Sequence, residues 1–498
     1  MAEIGAVEDR GKKLRKRALV ALAAPAVLYL LLLIPDGSVP PLPPTGSRGA
    51  FSWNQDDRWK ELESRFDASR RAPQNDLRRS IREESARVKD QIARAREGRR
   101  SADDPLWGTL EQDLFLLGSQ VASAPSDLPA FADLVFSMRD AVKEQSVHWD
   151  VRSPEARIRL YRLLYGGRAA LEGAMLQAPS GTVPAVLKGR DEPSASPSAL
   201  VRGVRIHSGD LLLSRGSAPT SALIARGSDF PGNFSHVALV HVDERTSAVS
   251  VIEAHIERGV AISTVEEYVN DPKRRVMVLR LRSDSPMLAK DPTAAHRAAT
   301  AGRDEARSRR IPYDFAMDFR DHSRIFCSEV ASAAYERVGV TLWMGLSTLS
   351  SPGVRSWLSA LGVRNSLTQE PSDLEYDPQL CVVAEWRDPS GLWEDHLDNA
   401  VTEAMLEDAE RGAAMDHRGA LLPIARGMKA YSWTLNAFGA IGPIPEGMSA
   451  TVALRLQWYQ ARHAAIRAGL AERARAFRDQ RGYPPPYWEL VRLARGLK

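Results

Sequence analysis

The sequence predicts an α+β protein in which a central β-rich domain lies between two helical regions, preceded by one N-terminal membrane span. In 53–178 and again in 391–498, apolar residues recur every three or four positions among charged ones, as on helices. Between them, 201–390 holds short apolar runs separated by turn residues, which is typical of strands. At 498 residues and 44% hydrophobic composition, the chain is too long for one core, so two or three packed units are expected.

The N-terminus predicts a membrane anchor. A basic segment, 1–17, leads into an uncharged stretch, 18–34, and its seventeen residues just span a bilayer. Positive charges before the span place the N-terminus in the cytoplasm, so we expect a single-pass inner-membrane protein with most of its chain in the periplasm. A cleaved signal peptide is the alternative, but the run ends in Ile34, Pro35 and Asp36, a poor cleavage site.

The segments after the span divide by composition. A Pro-rich tether, 35–52, leads to the first helical region, 53–178, where Leu110, Leu114 and Leu117 illustrate the helical spacing. A helical bundle or a long hairpin is expected there, acting as a stalk or docking element or simply covering the central domain. Residues 179–200 are rich in Pro, Ser and Gly without an apolar period, which predicts a linker and a domain boundary.

The central domain, 201–390, is predicted to contain six strands and two helices. The predicted strands are 210–214, 236–242, 249–254, 259–263, 276–281 and 380–385. The predicted helices, 294–309 and 328–338, lie between the fifth and sixth strands.

Composition excludes several classes of function. The net charge is only +4, and Arg interleaved with Glu and Asp is typical of solvated helix faces, so nucleic-acid binding is not expected. Two cysteines, Cys327 and Cys381, are too few for a disulfide framework, although a single disulfide between them remains an alternative. Cys381 lies in an apolar run, which is typical of a buried free thiol. The histidines lack metal-ligand spacing and no Gly-rich phosphate loop occurs, so neither a metal nor a cofactor is expected.

Cys327 is the candidate nucleophile because it precedes a predicted helix. The backbone N–H groups and the positive end of the helix dipole favour a thiolate at such a position. The same N–H groups can stabilise an oxyanion, and Ser328 is a further candidate to line this part of the site. The alternative is a buried structural cysteine.

Two neighbouring strands supply a candidate base and a residue to orient it. His236 begins one strand, on the opposite face from His241, so only one of them can serve the site. Glu253 lies in the next strand with apolar neighbours, where a carboxylate needs a partner, and accepting the N–H of His236 would supply it. His255 shares the face of Glu253 and is the rival orienting residue.

These residues, in order, resemble the YiiX/YebB-like permuted papain-fold hydrolases, relatives of the NlpC-type cell-wall peptidases and of the lecithin retinol acyltransferase fold. The resemblance is carried by Gly209-Asp210-Leu211-Leu212, Ser235-His236-Val237, Val251-Ile252-Glu253-Ala254, Gly259-Val260, Tyr313-Asp314, Phe326-Cys327-Ser328-Glu329 and Pro371-Ser372-Asp373-Leu374. It implies a small, barrel-like antiparallel sheet packed on the nucleophile helix. The histidine precedes the cysteine by 91 positions, which is the permuted order.

The resemblance also implies residue roles. Cys327 becomes the nucleophile, His236 the general base and Glu253 the orienting residue, while Tyr313 lines the substrate cleft or assists at the oxyanion. We therefore expect a membrane-anchored cysteine hydrolase that cleaves an amide or ester bond through a thioester. Cell-wall peptides are the first expected substrate and lipid acyl bonds the second. A non-catalytic envelope scaffold is the third alternative, and the sequence does not identify protein partners.

Overall fold

The computed structural model of the protein describes residues 25–36, 57–179 and 181–497. The basic segment 1–17, residues 18–24 of the predicted span and residues 37–52 of the predicted tether lie outside this range. Residues 25–32 form a helix, α1. Within the described residues, no helix combines the length and the apolar character needed to cross a membrane.

The first helical region is a bundle of six α-helices with a π-helical turn at Tyr161–Tyr165. Its helices are α2 (Asp57–Arg71), α3 (Gln74–Arg96), α4 (Pro105–Val121), α5 (Leu128–Ser146), α6 (Pro154–Leu160) and α7 (Gly166–Gln177). Local sequence starts two of them: Asp104 caps α4 and Ser153 caps α6, each followed by a proline at the first helical position. Leu110, Leu114 and Leu117 are fully buried, as their spacing predicts.

The central domain is built on a seven-stranded antiparallel sheet in the order β1-β11-β8-β4-β5-β6-β7. Its strands are β1 (Val186–Lys188), β4 (Leu211–Gly216), β5 (His236–Val242), β6 (Val249–His255), β7 (Gly259–Thr264), β8 (Lys273–Leu281) and β11 (Leu380–Trp386). Two small pairs accompany it: β2 (Ser198–Val201) with β3 (Val204–His207), and β9 (Ser347–Thr348) with β10 (Leu367–Thr368). Among the described residues β1 and β7 each pair with one strand only and do not pair with each other, so the sheet is open and the expected barrel-like closure is absent.

The segment 179–200 is more ordered than its linker composition predicts. Within it, β1 pairs with β11 in the register Leu187↔Glu385 and forms an edge of the main sheet. A three-residue edge strand has no room for an alternating pattern, which is why composition alone suggests a linker.

Helices cover one face of the sheet, and the β2–β3 hairpin with one short helix covers the other. The central helices are α8 (Pro219–Arg226), α9 (Val265–Asn270), α10 (Pro286–Lys290), α11 (Ala294–Ser308), α12 (Glu329–Glu336), α13 (Pro352–Ala360) and α14 (Asp373–Tyr376). On one face, α11 and α12 pack against β5 and β6. They present the small buried residues Ala298 and Ala331 to Leu239 and Ile252, which permits close helix–sheet packing.

The C-terminal helices are α15 (Pro389–Glu410), α16 (Leu422–Ala437), α17 (Ala450–Arg481) and α18 (Tyr487–Arg495). Helices α15, α17 and α18 share a second core with α13, centred on Trp357 and Tyr459. A buried ion pair between Arg215 of β4 and Asp395 of α15 joins this region to the sheet.

The N-terminal bundle covers the central domain and does not project from it as a stalk. One continuous core contains Trp107 and Phe131 of the bundle together with Leu213 and Val382 of the sheet. Buried ion pairs reinforce this contact. They are Arg139–Glu385, Arg157–Asp373, Arg168–Glu375, Glu172–Arg275 and Glu172–Arg387. The bundle therefore belongs to the scaffold that holds the central domain.

Candidate active site

The candidate nucleophile, Cys327, lies in the turn that leads into helix α12. Its side chain is 5% exposed, and its thiol donates to the carbonyl of Ser235, with Sγ and O 3.8 Å apart. Two residues later, the carboxyl group of Glu329 accepts the N–H of Phe326 at 3.0 Å and fixes this turn. Both cysteines of the chain are free thiols, so the alternative of a disulfide is wrong.

His236, at the first position of β5, contacts both the sulfur and a carboxylate. Its Nε2 lies 2.8 Å from Oε2 of Glu253, and its imidazole also hydrogen-bonds with the thiol of Cys327. Since Nε2 faces Glu253, Nδ1 is the ring nitrogen left for the sulfur. The structure thus brings together three residues that the sequence separates by up to 91 positions.

The imidazole of His236 favours its charged form. Burial by itself lowers the pKa of His236, but the hydrogen bonds with Cys327 and Glu253 outweigh burial and raise that pKa to about 9. At neutral pH the ring therefore holds a proton beside the sulfur of Cys327.

Glu253 orients His236 and is itself held by two further groups. Its Oε1 accepts the hydroxyl of Ser263 at 2.8 Å and lies 3.2 Å from Nε2 of His255. Burial favours the neutral acid, but the hydrogen bonds from His236 and His255 prevail and hold the pKa of Glu253 well below its ordinary value. His255 is therefore a second partner of Glu253 and does not replace it as the partner of His236.

The register of the sheet explains this convergence. Glu253 lies directly opposite Ala238 in the β5–β6 pair, on the face that His236 also uses. His241 points to the other face, where Nη1 of Arg303 lies 2.9 Å from its Nε2. The side chains of His236 and His241 therefore lie in different environments, as alternation along a strand predicts.

Tyr313 lies beside the sulfur, in a loop that is fixed at two points. The N–H of Val260 donates to the carbonyl of Ile311 at 2.9 Å, and Tyr313 forms an isolated bridge with Ile325. Gly259 permits the first contact, because it has φ +75° and a Cβ there would lie 2.0 Å from the Ile311 oxygen. Burial, and then the negative charge of Cys327, raise the pKa of Tyr313 far above its ordinary range, so its hydroxyl remains a donor.

Ser328 is fully buried immediately after Cys327. Within the part of the chain that the structure describes, its Oγ has no hydrogen-bond partner. The side chain lies in the turn before α12 rather than on an open surface.

Three residues that contribute to the site are given no role in it by the sequence-based prediction, although Ser372 lies in one of the motifs. Ser263 holds Glu253, and Ser372 accepts the N–H of Phe234 at 3.0 Å, which fixes the segment before His236. Glu370 is buried, and the negative charges of Asp373 and Cys327 add to burial in raising its pKa well above the ordinary range. Alternation in β7 places Ser263 on the face of Glu253 and could have identified it, whereas local sequence gives no signal for Glu370.

The site is open on its polar side. His236 is 22% exposed and His255 is 32% exposed, whereas Cys327 is only 5% exposed. Two cavities, of about 430 and 310 Å³, are lined by residues other than this triad. In the described ranges, no cluster of three His, Cys, Asp or Glu side chains is placed to hold a metal ion.

The titration of His236 is a direct test of this geometry. In histidine NMR, His236 is expected to titrate near pH 9, and Glu253→Gln is expected to lower that value because a stabilising negative charge is removed. The associated stabilisation of the fold is present below pH 6.5 and is lost as the pH rises through about 9.

His241 is the internal control for that titration. Burial and the neighbouring Arg303 lower its pKa to about 4, and Glu253→Gln should leave it unchanged. A wild-type His236 that titrates near 6.5 would contradict its contact with the thiol and the carboxylate.

Comparison with known proteins finds a family match for the central domain. Residues 205–384 match the family described as permuted papain-like amidase enzymes, YaeF/YiiX, C92 family. A solved structure described as metalloprotein yiiX from Escherichia coli O157:H7 is 18% identical, covering 35% of this chain and 95% of its own, with a TM-score of 0.28. None of the curated proteins matches the chain.

Proposed function

Residues 205–384 form a domain of the permuted papain-like amidase type, a cysteine hydrolase, and from this premise we propose that the chain is a membrane-anchored amidase or peptidase of cell-wall peptides. The observation that supports the catalytic assignment is the contact of the Cys327 thiol with His236, which is backed by Glu253 at 2.8 Å. A nucleophile, a base and an orienting carboxylate in this sequence of contacts can carry out acyl transfer to water.

The proposed reaction has two steps. In the first, the Cys327 thiolate bonds to the carbonyl carbon of an amide, and the His236 imidazolium gives its proton to the leaving nitrogen as the C–N bond breaks. In the second, neutral His236 takes a proton from water, the resulting hydroxide adds to the thioester, and the C–S bond breaks. The products are an amine and a carboxylic acid, and Cys327 is regenerated.

The oxyanion of each step is assigned to donors beside the sulfur. These are the backbone N–H groups of the turn before α12 and the hydroxyl of Tyr313, whose raised pKa keeps it protonated. Glu253 acts as a positioning residue by holding the ring of His236.

The substrate is proposed from the character of the exposed groups. The accessible side of the site carries His236 and His255, which are polar and suit a peptide more than an acyl chain. The larger cavity, which is mostly apolar, is lined by residues of the N-terminal bundle and the C-terminal helices rather than by Cys327.

The membrane anchor is proposed from the uncharged run 18–34 and the basic residues before it. It places residues 1–17 in the cytoplasm and the catalytic domain in the periplasm, on the side where cell-wall peptides occur.

A substrate screen tests the proposed function. Wild type and Cys327→Ala are incubated with purified cell wall, phospholipids and acyl thioesters, and the products are identified by mass spectrometry. New amine and carboxyl termini in cell-wall peptides, formed by wild type alone, are the expected result. Free fatty acid from the lipid or thioester panel, with intact cell wall, would overturn the peptide assignment in favour of a lipid substrate.

A further inference from the structure

Helix α16 and the turn after it expose an unusual amount of apolar surface. We define the α16 surface as six large side chains, each with a large exposed fraction. They are Ile424 (61%), Met428 (44%), Tyr431 (57%), Trp433 (70%), Phe438 (85%) and Ile441 (47%). This many large exposed apolar side chains on one short segment of a folded protein indicate a site of interaction.

The arrangement of these residues follows the helix. Ile424, Met428, Tyr431 and Phe438 recur at helical spacing and form one stripe, while the buried Ala425 and Ser432 face the rest of the protein. Trp433 lies outside the stripe, seven residues after Arg426 and therefore on the same side as that arginine.

Charge is nearly absent from this stretch. Residues 419–445 contain two charged side chains, Arg426 and Lys429, in a chain that is 26% charged. Both are engaged: Lys429 donates to the carbonyls of Pro445 and Glu446 at 2.6 Å, and Arg426 binds the N-terminal segment. The exposed face of α16 is therefore almost wholly uncharged.

Arg426 connects α16 to the end of α1. Its guanidinium donates to the carbonyls of Leu32 and Ile34 at 3.0 and 2.6 Å and pairs with Asp36 at 3.1 Å. These are carbonyls that a helix end leaves without intrahelical donors. Asp36 in turn accepts the N–H of Thr451 at the start of α17.

The helix that this clamp joins to α16 is itself apolar and exposed. In α1 and just after it, exposed apolar side chains are Val27 (54%), Leu28 (58%), Tyr29 (47%), Leu30 (62%), Leu31 (56%) and Ile34 (57%). They form the last part of the uncharged run 18–34, for which the sequence predicts a bilayer span. The clamp therefore places α16 at the level where that run leaves the membrane.

We propose that the α16 surface lies in the interfacial layer of the same bilayer, so that α16 is a second membrane contact next to the anchor. This inference rests on the proposed membrane anchoring. Trp433 and Tyr431 belong to the residue types that favour the headgroup region, and the stripe of Ile424, Met428 and Phe438 supplies the apolar face of an interfacial helix.

Lipid is the occupant because of this continuity. A protein partner would have to cover a surface that begins where the predicted span ends, whereas a bilayer that holds residues 18–34 already reaches it. Two contacts, one spanning and one interfacial, would fix the height and tilt of the catalytic domain above the membrane.

Spin-label accessibility in the full-length protein tests the proposal. Phe438→Cys, in a Cys327→Ala background, carries the label in phospholipid vesicles; Cys381 is buried with a pKa raised to about 12 and stays unlabelled. Leu200→Cys is the matched control, because Leu200 is similarly exposed, at 67%, on the β2–β3 hairpin. Collisions with oxygen, which concentrates in lipid, are compared with collisions with a water-soluble nickel complex.

The expected result is an oxygen-to-nickel ratio several-fold higher at position 438 than at position 200 in protein that floats with the vesicles. A ratio at 438 equal to that at 200 in floating protein overturns the interfacial contact and leaves the anchor standing. A label at 438 shielded from both reagents, and released when protein is diluted in lipid, means that a second copy covers the surface and also overturns the proposal. Protein that fails to float overturns the anchor and this inference together, without bearing on the hydrolase assignment.

Discussion

Replacing Cys327 with alanine is expected to lower the rate of substrate hydrolysis by at least about 10⁴-fold, because loss of the nucleophile alone removes most of the catalysis in enzymes of this kind. The protein should still fold, since the change removes one sulfur from a turn and leaves the Glu329–Phe326 hydrogen bond in place. The measurement is kcat/KM on the substrate that the screen identifies, with circular dichroism to verify folding.

Cys381→Ala is the matched control for that variant. Cys381 is also buried, and burial is the first cause that raises the pKa of its thiol to about 12, so it holds a proton at neutral pH. We expect kcat/KM to be nearly unchanged. Equal losses in the two variants would mean that Cys327 contributes packing rather than chemistry.

The double variant Cys327→Ala/His236→Ala extends this test. Residues that act as one catalytic unit are strongly non-additive, so the double variant should be no slower than Cys327→Ala alone. A further large loss on removing His236 would indicate that the histidine acts independently of the sulfur.

Replacing Glu172 with alanine is expected to destabilise the protein by about 3–5 kcal/mol, the usual effect of breaking a buried ion pair from one side. Glu172 accepts from Arg168 at 3.1 Å, and from Arg275 and Arg387 at 2.6 Å each. All four side chains are at most 3% exposed, so the variant leaves three guanidinium groups in the interior with one carboxylate fewer. Urea unfolding followed by tryptophan fluorescence measures the loss.

Asp76→Ala is the control for that loss of charge. Asp76 pairs with Arg79 at 2.7 Å, but both side chains are more than half exposed, so the free energy of unfolding should change by less than about 0.5 kcal/mol. Equal destabilisation by the two variants would contradict the proposed role of the Glu172 cluster in joining the bundle to the sheet.

The same cluster gives the stability a pH dependence. Burial favours neutral Glu172, but Arg275, Arg168 and Arg387 prevail and hold its pKa far below the ordinary 4.5. A depressed carboxyl pKa contributes stability that is present above pH 4.5 and is lost as the pH falls below it.

The central sheet could be predicted from the sequence because successive side chains of its long strands alternate between two faces. The six predicted strands all occur, and β5 begins and ends at the predicted residues, His236 and Val242. The short strands could not be predicted. The strands β1, β2 and β3 have three or four residues each, which is too short for a period of apolar residues to be recognised.

The ionic scaffold could not be predicted for a different reason. Arg interleaved with Glu on a helix has the same pattern whether solvent or another domain faces it, so the sequence favours a solvated interpretation. That interpretation holds for Asp76 and Arg79 but is wrong for Arg168 and Glu172, which are buried against the sheet. Only the tertiary fold supplies the partners, which lie up to 215 positions away.

The candidate site was readable in part. The adjacency of His236 and Glu253 follows from two neighbouring antiparallel strands, and alternation selects His236 over His241. The contact between Cys327 and His236 is long-range, and no local sequence pattern predicts it. The order of the motifs predicts it only through the family resemblance. Glu370, which reaches the site from beyond α13, shows the same limit.

The rate at which iodoacetamide alkylates each cysteine tests the central claim most directly, and peptide mass spectrometry can measure it in the folded protein from pH 5 to 10. An imidazolium held beside Cys327 predicts much faster alkylation of Cys327 than of Cys381 at pH 7, and a marked slowing of Cys327 in His236→Ala. Equal rates for the two cysteines, or a Cys327 rate unaffected by His236→Ala, would contradict the thiolate–imidazolium pair on which the hydrolase mechanism depends.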